Sequence, residues 1–155
     1  MNELVYRNLS EDAKRQICAW KNGGEYDLYN LPSYEEMQVR QIGFMNPQRE
    51  KNYYGFWDES ILVGFVNILE EKEEVFIGIG VNPDLCNKHY GQRMLLITYE
   101  ISKKLYPNKP LYLEVRTWNI RAIKCYQKAG FRIDGQAYEL TTGIGTGTFY
   151  RMIRE

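Results

Sequence analysis

The chain has 155 residues, enough for one domain, and its 20 basic residues cancel its 20 acidic ones, which disfavours a nucleic-acid partner or an anionic membrane surface. Its three widely spaced cysteines form neither a metal-type pair nor a disulfide framework, and no stretch is typical of a signal peptide or a membrane span. We therefore expect one domain over residues 1–155, soluble and cytoplasmic, with reduced thiols and no metal, and either monomeric or homodimeric.

The first part of the chain predicts a strand followed by two helices. Leu4 to Asn8 alternates in polarity like a short strand, and Ser10 precedes a run typical of a capped helix. Ser33 with Glu36 three residues later fits a capping box, which predicts the second helix. Its apolar side is predicted from residues at three-residue spacing, namely Val39, Ile42 and Met45, ending before Asn46.

A tyrosine-rich segment lies between these helices. Two interpretations of it stand side by side. In the first, aromatic and acidic side chains form a wall that attracts a cationic amine through cation–π and charge contacts. In the second, the same side chains are local packing that anchors a loop. The residues concerned are Trp20, Glu25, Tyr26, Asp27, Tyr29 and Tyr34.

The rest of the chain alternates between strand and helix patterns. The runs YYGFW, ILVGFVNIL and VFIGIGV predict an antiparallel meander, and the third run, apolar on both faces, suits a central strand. A helix follows, with its apolar residues at Met94, Ile97, Ile101 and Leu105, and then the strand LYLEVR and a helix closed by Gly130. FRIDGQAYEL and TFYRMIR around a GIGTG turn predict a final hairpin.

Two glycine-containing features hold the first candidate chemistry. The turn from Lys88 to Arg93 opens the third predicted helix, where free N–H groups, Gly91 and two cationic side chains suit a pyrophosphate; many solvated loops have the same composition. Gly78 and Gly80 inside the preceding strand indicate either a bulge that frees backbone groups for a ligand or a simple kink of the sheet.

The segment Asn119–Phe131 has the pattern NxxAxxxYxxxGF. Together with the strand ending in VNP, the basic turn and the strand LEVR, it resembles the acetyl-CoA-binding core of the GNAT family of N-acetyltransferases. The resemblance implies an α/β (α+β) GNAT fold: a mixed, mostly antiparallel sheet of six to seven strands, split at the fourth strand and flanked by about four helices. The family's turn, Arg/Gln-x-x-Gly-x-Gly/Ala, is matched fully only at Gly91, with Lys88 and Arg93 in the outer two places.

The resemblance also implies an acetyl-CoA site and an amine acceptor, either a small molecule or a peptide N-terminus. A non-catalytic acyl-CoA-binding sensor of the same fold is the alternative function. The implied cofactor-binding residues lie on the split strand, the turn and the last helix: Ile79, Val81, Lys88, His89, Tyr90, Gly91, Gln92, Arg93, Asn119, Ala122 and Tyr126.

Two residues are the implied catalytic pair. Glu114, in LEVR, occupies the position that serves as base in the ribosomal-protein acetyltransferase branch, and Tyr126 matches the family's proton donor to the departing thiolate. An amine with a pKa of about 10.4 needs a proton acceptor at neutral pH, and a tyrosine with a pKa of about 10 keeps a proton to give. Glu114 is equally interpretable as a structural partner of Arg116 or Arg132, and a water remains an alternative base.

Overall fold

A computed structural model describes residues 3–155 of the protein. Within that range the helices are α1 Glu11–Ala19, α2 Tyr34–Arg40, α3 Tyr90–Leu105 and α4 Ile120–Lys128. The strands there are β1 Val5–Asn8, β2 Tyr53–Asp58, β3 Ile61–Glu70, β4 Val75–Val81, β5 Leu111–Arg116, β6 Arg132–Ile133, β7 Tyr138–Thr142 and β8 Gly145–Arg154. The mixed order of strands and helices agrees with the α/β class expected from the sequence.

The strands form one sheet in the order β1-β2-β3-β4-β5-β8-β6, with β7 paired to β8. β1 with β2, β2 with β3 and β8 with each of its partners run antiparallel, whereas β4 and β5 run parallel. Residues 3–155 thus contain eight strands, one more than the upper expectation. The run FRIDGQAYEL is two strands because Gly135 takes a left-handed φ of +81° between them.

The chain divides into two compact units. The first comprises the described residues up to Asn67 together with Ile79–Tyr90. Its apolar core joins α1, α2 and the adjoining strands, and its buried members include Ala13, Ile17, Met37, Phe44, Trp57 and Leu62. The rings of Phe44, Tyr53 and Phe65 pack on one another with centroids 5.7 to 6.4 Å apart.

The second unit comprises Ile68–Gly78 and Gly91–Glu155. Alternate residues of β5 are buried, which leaves one face of the strand apolar and gives the other to Tyr112, Glu114 and Arg116. The buried apolar residues of this unit include Val75, Ile77, Met94, Leu95, Leu111, Leu113 and Met152. The apolar period predicted for α3 is largely confirmed, although Leu105 at its end is 51% exposed.

The helix starts follow the sequence signals more closely than the helix ends. Ser10 Oγ accepts the Ala13 N–H at 3.1 Å and Ser33 Oγ accepts the Glu36 N–H at 3.1 Å, so both predicted N-caps are confirmed. The predicted extent of α2 is wrong, because the helix stops where Gln41 adopts a left-handed φ of 52°. Ile42 and Met45 therefore lie beyond the helix, and Val39 is 84% exposed.

Candidate active site

The parallel pairing of β5 is much shorter than its antiparallel pairing. Its register with β4 covers two residue pairs, Val75–Leu111 and Phe76–Tyr112, while its register with β8 covers all six of its residues. Within the second unit, Leu113–Arg116 therefore continues along β8 after the ladder with β4 has ended. That is the property expected of a sheet split at its fourth strand, and it leaves backbone N–H and C=O groups at that edge for another partner.

Glu114 lies just past the end of the β4 ladder and is half-buried. Tyr138 Oη on β7 donates a hydrogen bond to Glu114 Oε2 at 2.5 Å. Burial, followed by this hydrogen bond, raises the pKa of Tyr138, so the phenol keeps its proton at neutral pH. The phenol occupies Oε2, and Oε1 accepts no hydrogen bond from the described residues.

The alternative interpretation, in which Glu114 is a structural partner of Arg116 or Arg132, is wrong. Arg132 Nη2 pairs with Glu155 Oε1 at 2.7 Å, and the guanidinium of Arg116 lies 4.8 Å from the ring centroid of Phe149. Across residues 3–155, no ion pair within 4.0 Å involves Glu114. Its hydrogen-bonding partner is Tyr138, which sequence reasoning missed because the contact depends on the strand register.

Further polar contacts hold the start of the β4–β5 pair. Tyr112 Oη donates to Glu71 Oε1 at 2.7 Å, and Arg151 on β8 pairs with Glu74 at 2.5 Å and with Asp134 at 3.3 Å. These carboxylates raise the pKa of the Arg151 guanidinium, the Glu74 hydrogen bond most strongly. The link from Glu70 to Glu74 is thus partly engaged with the sheet.

The α4 residues of the predicted site also belong to the second unit. Asn119 is buried and its Oδ1 accepts the Ala122 N–H at 3.2 Å, which makes it the N-cap of α4. Tyr126 is half-buried, and its carbonyl accepts the Phe131 N–H at 2.9 Å where the helix closes. The cofactor roles of these three residues stay predictions.

The turn before α3 belongs to the first unit as far as Tyr90. Asn87 and His89 have left-handed φ angles of 65° and 67°, and Lys88 and His89 are exposed. Tyr90 Oη donates to Asp58 Oδ2 at 2.6 Å, which ties the start of the helix to the end of β2. The Tyr90 hydroxyl is therefore engaged within the protein, and its backbone is the part we expect at a phosphate.

Gly91, Gln92 and Arg93 lie in the first turn and the beginning of the second turn of α3, within the second unit. Gly91 is buried, whereas Gln92 and Arg93 are half-buried. α3 has 16 residues, and a helix of this length presents unpaired N–H groups and a partial positive charge at its start. These properties suit a phosphate.

Ile79 and Val81 are half-buried in the first unit. Between them, a Cβ on Gly80 would overlap the ring of Phe65 and lie 2.8 Å from its Cζ. The Asn82 N–H donates to the Val63 carbonyl at 2.8 Å, so the end of β4 is held by β3. Close packing against Phe65 thus explains why a glycine stands at position 80. The predicted role of Ile79 and Val81 at the thioester stays a prediction.

The tyrosine-rich segment is divided between the two interpretations. Tyr34 is buried, its hydroxyl donates to Glu11 Oε1 at 2.6 Å, and the Arg15 guanidinium lies 4.0 Å from its ring centroid. Trp20 packs against Phe65 with centroids 6.4 Å apart. These two residues serve as local packing. Tyr26, which is half-buried, and Tyr29, which is exposed, lie on a short 3-10 helix and stay candidates for acceptor contact.

Neither a metal cluster nor a membrane-spanning helix is present within residues 3–155. No group of three or more His, Cys, Asp or Glu side chains there is arranged to hold a metal ion. No helix among the described residues combines the length and the apolar character that crossing a membrane requires.

Comparison with known proteins identifies the class. The model of the acetyltransferase (GNAT) family matches residues 13–131. The chain therefore belongs to the GNAT acetyltransferase family and is an acyltransferase by class. A comparison with curated protein sequences finds no match.

Solved structures of this family share the fold at low sequence identity. A GNAT-family acetyltransferase from Bacillus anthracis is 17% identical with a TM-score of 0.79, over 98% of this chain and 94% of that chain. Spermidine N-acetyltransferase from Vibrio cholerae, in complex with CoA and spermine, is 18% identical with a TM-score of 0.74, over 97% and 94%. AAC(6')-Ib in complex with ribostamycin and coenzyme A is 18% identical with a TM-score of 0.73, over 99% and 93%.

Proposed function

We propose that this chain transfers the acetyl group of acetyl-CoA to an amine by direct attack, with Glu114 as the base and Tyr126 as the acid. The observation that carries the proposal is the position of Glu114. Its carboxylate lies on β5 two residues beyond Tyr112, where the parallel ladder with β4 ends. A carboxylate beside an unpaired strand edge is where an extended, amide-containing ligand and a base are both needed.

The chain's own groups suit the parts of acetyl-CoA. The amides of the pantetheine arm can pair with free strand-edge groups of β5, as an added strand does. The pyrophosphate suits the N–H groups at the start of α3, where the buried Gly91 offers backbone without a side chain. Lys88 and Arg93 supply positive charge, and Ile79 and Val81 are the proposed backbone contacts of the thioester.

The proposed chemistry removes two protons from nitrogen, delivers one to sulfur and exchanges one bond. Glu114 Oε1 takes the first proton from the acceptor ammonium and passes it to solvent, and the freed nitrogen attacks the thioester carbonyl carbon. A C–N bond forms as the C–S bond breaks, and the nitrogen of the new amide loses its second proton to solvent. Tyr126 Oη gives its proton to the departing sulfur and regains one from solvent. A backbone N–H near Ile79–Val81 stabilises the oxygen that carries negative charge during the attack.

Thermal shift followed by a thiol-release assay tests this function. Saturating acetyl-CoA should raise Tm, because a ligand that binds only the folded state stabilises it. An amine panel that includes ω-amino acids, diamines, aminoglycosides and peptides should then contain an acceptor that releases free CoA thiol. No stabilisation would contradict the proposal, and stabilisation without thiol release from any amine would favour the sensor function.

Tyr126→Phe tests the acid assignment against a matched control. General acid catalysis contributes on the order of 10²- to 10⁴-fold, so kcat should fall by that factor. Tyr99→Phe is the control, because the Tyr99 hydroxyl on α3 contacts the C-terminal residue, donating to the Glu155 carbonyl at 3.1 Å. If kcat is unchanged in Tyr126→Phe, Tyr126 is not the acid.

A further inference from the structure

Arg116, the last residue of β5, is a buried cation without a counter-charge. The residue is 8% exposed. The side-chain contact it makes is with an aromatic face, its guanidinium carbon lying 4.8 Å from the Phe149 ring centroid. Throughout residues 3–155, no carboxylate lies within 4.0 Å of its nitrogens. No hydrogen bond of its guanidinium is found among these residues, and its nitrogens are not among the fully enclosed polar atoms that lack a partner, so they keep contact with solvent.

The other arginines of the same part of the sheet are satisfied. Arg151 is paired with Glu74 and Asp134, and Arg132 is paired with Glu155. Arg154 Nη1 donates to the Ala129 carbonyl at 3.0 Å. The contrast matters because burial of an unpaired charge is costly, and a guanidinium cannot lose its proton to avoid that cost.

The surrounding backbone makes room for the guanidinium. On β8, a Cβ added to Gly147 would overlap Arg116 Nη1, so the guanidinium lies directly against the glycine backbone. Gly147 is half-exposed, and its neighbours Thr146 and Thr148 are exposed. The donor end of the side chain therefore reaches toward the solvent-accessible part of the β7–β8 hairpin, although its stem is buried.

Arg116 and Glu114 share one face of β5, because alternate residues of a strand point the same way. Successive residues on a face are about 6.6 Å apart along the strand, so Glu114 and Arg116 are neighbours on this face, and no ion pair within 4.0 Å joins them in the described part of the chain. A ligand with one positive and one negative group would neutralise both. A second ammonium group, in contrast, would be repelled by Arg116 in this half-buried setting.

We propose that Arg116 binds an anionic group, a carboxylate or a phosphate, of the acceptor whose amine is presented to Glu114. This rests on the proposed function, and it names the acceptor class: amines that carry a negative group a few bonds from the nitrogen. The planar guanidinium offers paired donors that match carboxylate and phosphate geometry. Its charge also favours loss of the ammonium proton in the bound acceptor, which aids attack.

Matched acceptors test the proposal in the full chain. 4-Aminobutyrate, O-phosphoethanolamine, n-butylamine and putrescine are compared by thiol release, and glycine to 6-aminohexanoate covers other spacings. We expect kcat/KM for the best anionic amine to exceed that for the uncharged-tail amine about 10- to 100-fold, the value of one or two charge-assisted hydrogen bonds. Arg116→Met should remove this preference, and Arg116→Lys should restore part of it.

The control is Arg132→Met, which removes an exposed arginine of the same unit and should keep the preference. Arg116→Met should also keep or raise the Tm of the unliganded protein, because it removes an unpaired buried charge; a large loss of Tm would mean that Arg116 is structural. A rise in Tm with 4-aminobutyrate alone, without acetyl-CoA, should occur in the wild type and not in Arg116→Met. That result supports the site even if no thiol release is detected.

Besides that loss of Tm, three kinetic results would overturn the proposal while leaving the proposed function in place. One is equal kcat/KM for anionic and uncharged-tail amines in wild type. Another is a preference for putrescine over 4-aminobutyrate. The third is an Arg116→Met variant whose KM rises for acetyl-CoA with the acceptor preference unchanged, which would assign the anion to the cosubstrate. Failure of the proposed function itself is recognised separately, by the absence of an acetyl-CoA thermal shift.

Discussion

The hydrogen bond from Tyr138 to Glu114 predicts that mutations of these two residues have non-additive effects on kcat. The Oη–Oε2 distance is 2.5 Å and both side chains are half-buried. A hydrogen bond to a charged acceptor contributes about 1.5–3 kcal/mol, and partial exposure favours the lower end. If that bond holds the carboxylate in its reactive orientation, Tyr138→Phe should lower kcat about tenfold, since about 1.4 kcal/mol corresponds to one decade in rate.

Thiol release with one fixed acceptor checks this value. It is measured for the wild type, Tyr138→Phe, Glu114→Gln and the double variant. Glu114→Gln should lower kcat by about 10²- to 10⁴-fold if it is the base. The kcat of the double variant should match that of Glu114→Gln to within about twofold, because Tyr138 acts by orienting a carboxylate that Glu114→Gln has already removed. If the two single effects multiply instead, Tyr138 acts independently of Glu114, and the reasoning from this contact is wrong. A change confined to KM would refute it as well.

Two further predictions concern stability. Gly80→Ala should destabilise the protein by about 1–3 kcal/mol, because its Cβ would overlap the rigid Phe65 ring, whereas Gly23→Ala, with nothing within 4 Å of its added Cβ, should not; equal urea midpoints for the two would contradict this. Burial, followed by the Glu71 hydrogen bond, raises the pKa of Tyr112. The contribution of Tyr112 to the free energy of unfolding is thus complete below the ordinary tyrosine pKa of about 10 and declines above it. The free energy of unfolding, measured in urea between about pH 9 and pH 11, should therefore fall less steeply with pH in Tyr112→Phe than in the wild type. An unchanged slope would refute the assignment.

Local signals in the sequence predicted most element starts and failed at element ends. Ser10 and Ser33 cap their helices because a side-chain oxygen next to free N–H groups is a short-range interaction. The end of α2 depends instead on the left-handed conformation of Gln41, which its residue type does not favour. Apolar spacing through Ile42 and Met45 continued past that point, since both residues face the core from outside the helix.

The sequence indicated candidate site residues, and it did not predict their contacts. The motif from Asn119 to Phe131 identified the family, and the match over residues 13–131 confirms that identification. The partner of Glu114 is 24 residues away on β7, and it is set by the registers of β5 and β7 with β8. Nearby arginines were the expected partners because a sequence offers proximity along the chain, whereas a sheet brings distant strands together.

The residues on the polar face of β5 differ in how many partners the protein itself provides for their side chains. Tyr112, within the ladder with β4, is held by Glu71. Glu114, just beyond that ladder, is held through one oxygen by Tyr138, so one oxygen remains available. The guanidinium of Arg116 lies against the ring of Phe149 and the backbone of Gly147, and no carboxylate of residues 3–155 pairs with it. From Tyr112 to Arg116, the protein thus provides fewer hydrogen-bond and charge partners for these side chains. Pairing with β4 ends along the same direction. Because buried charge is costly when unpaired, this gradient argues that a ligand completes the last two positions.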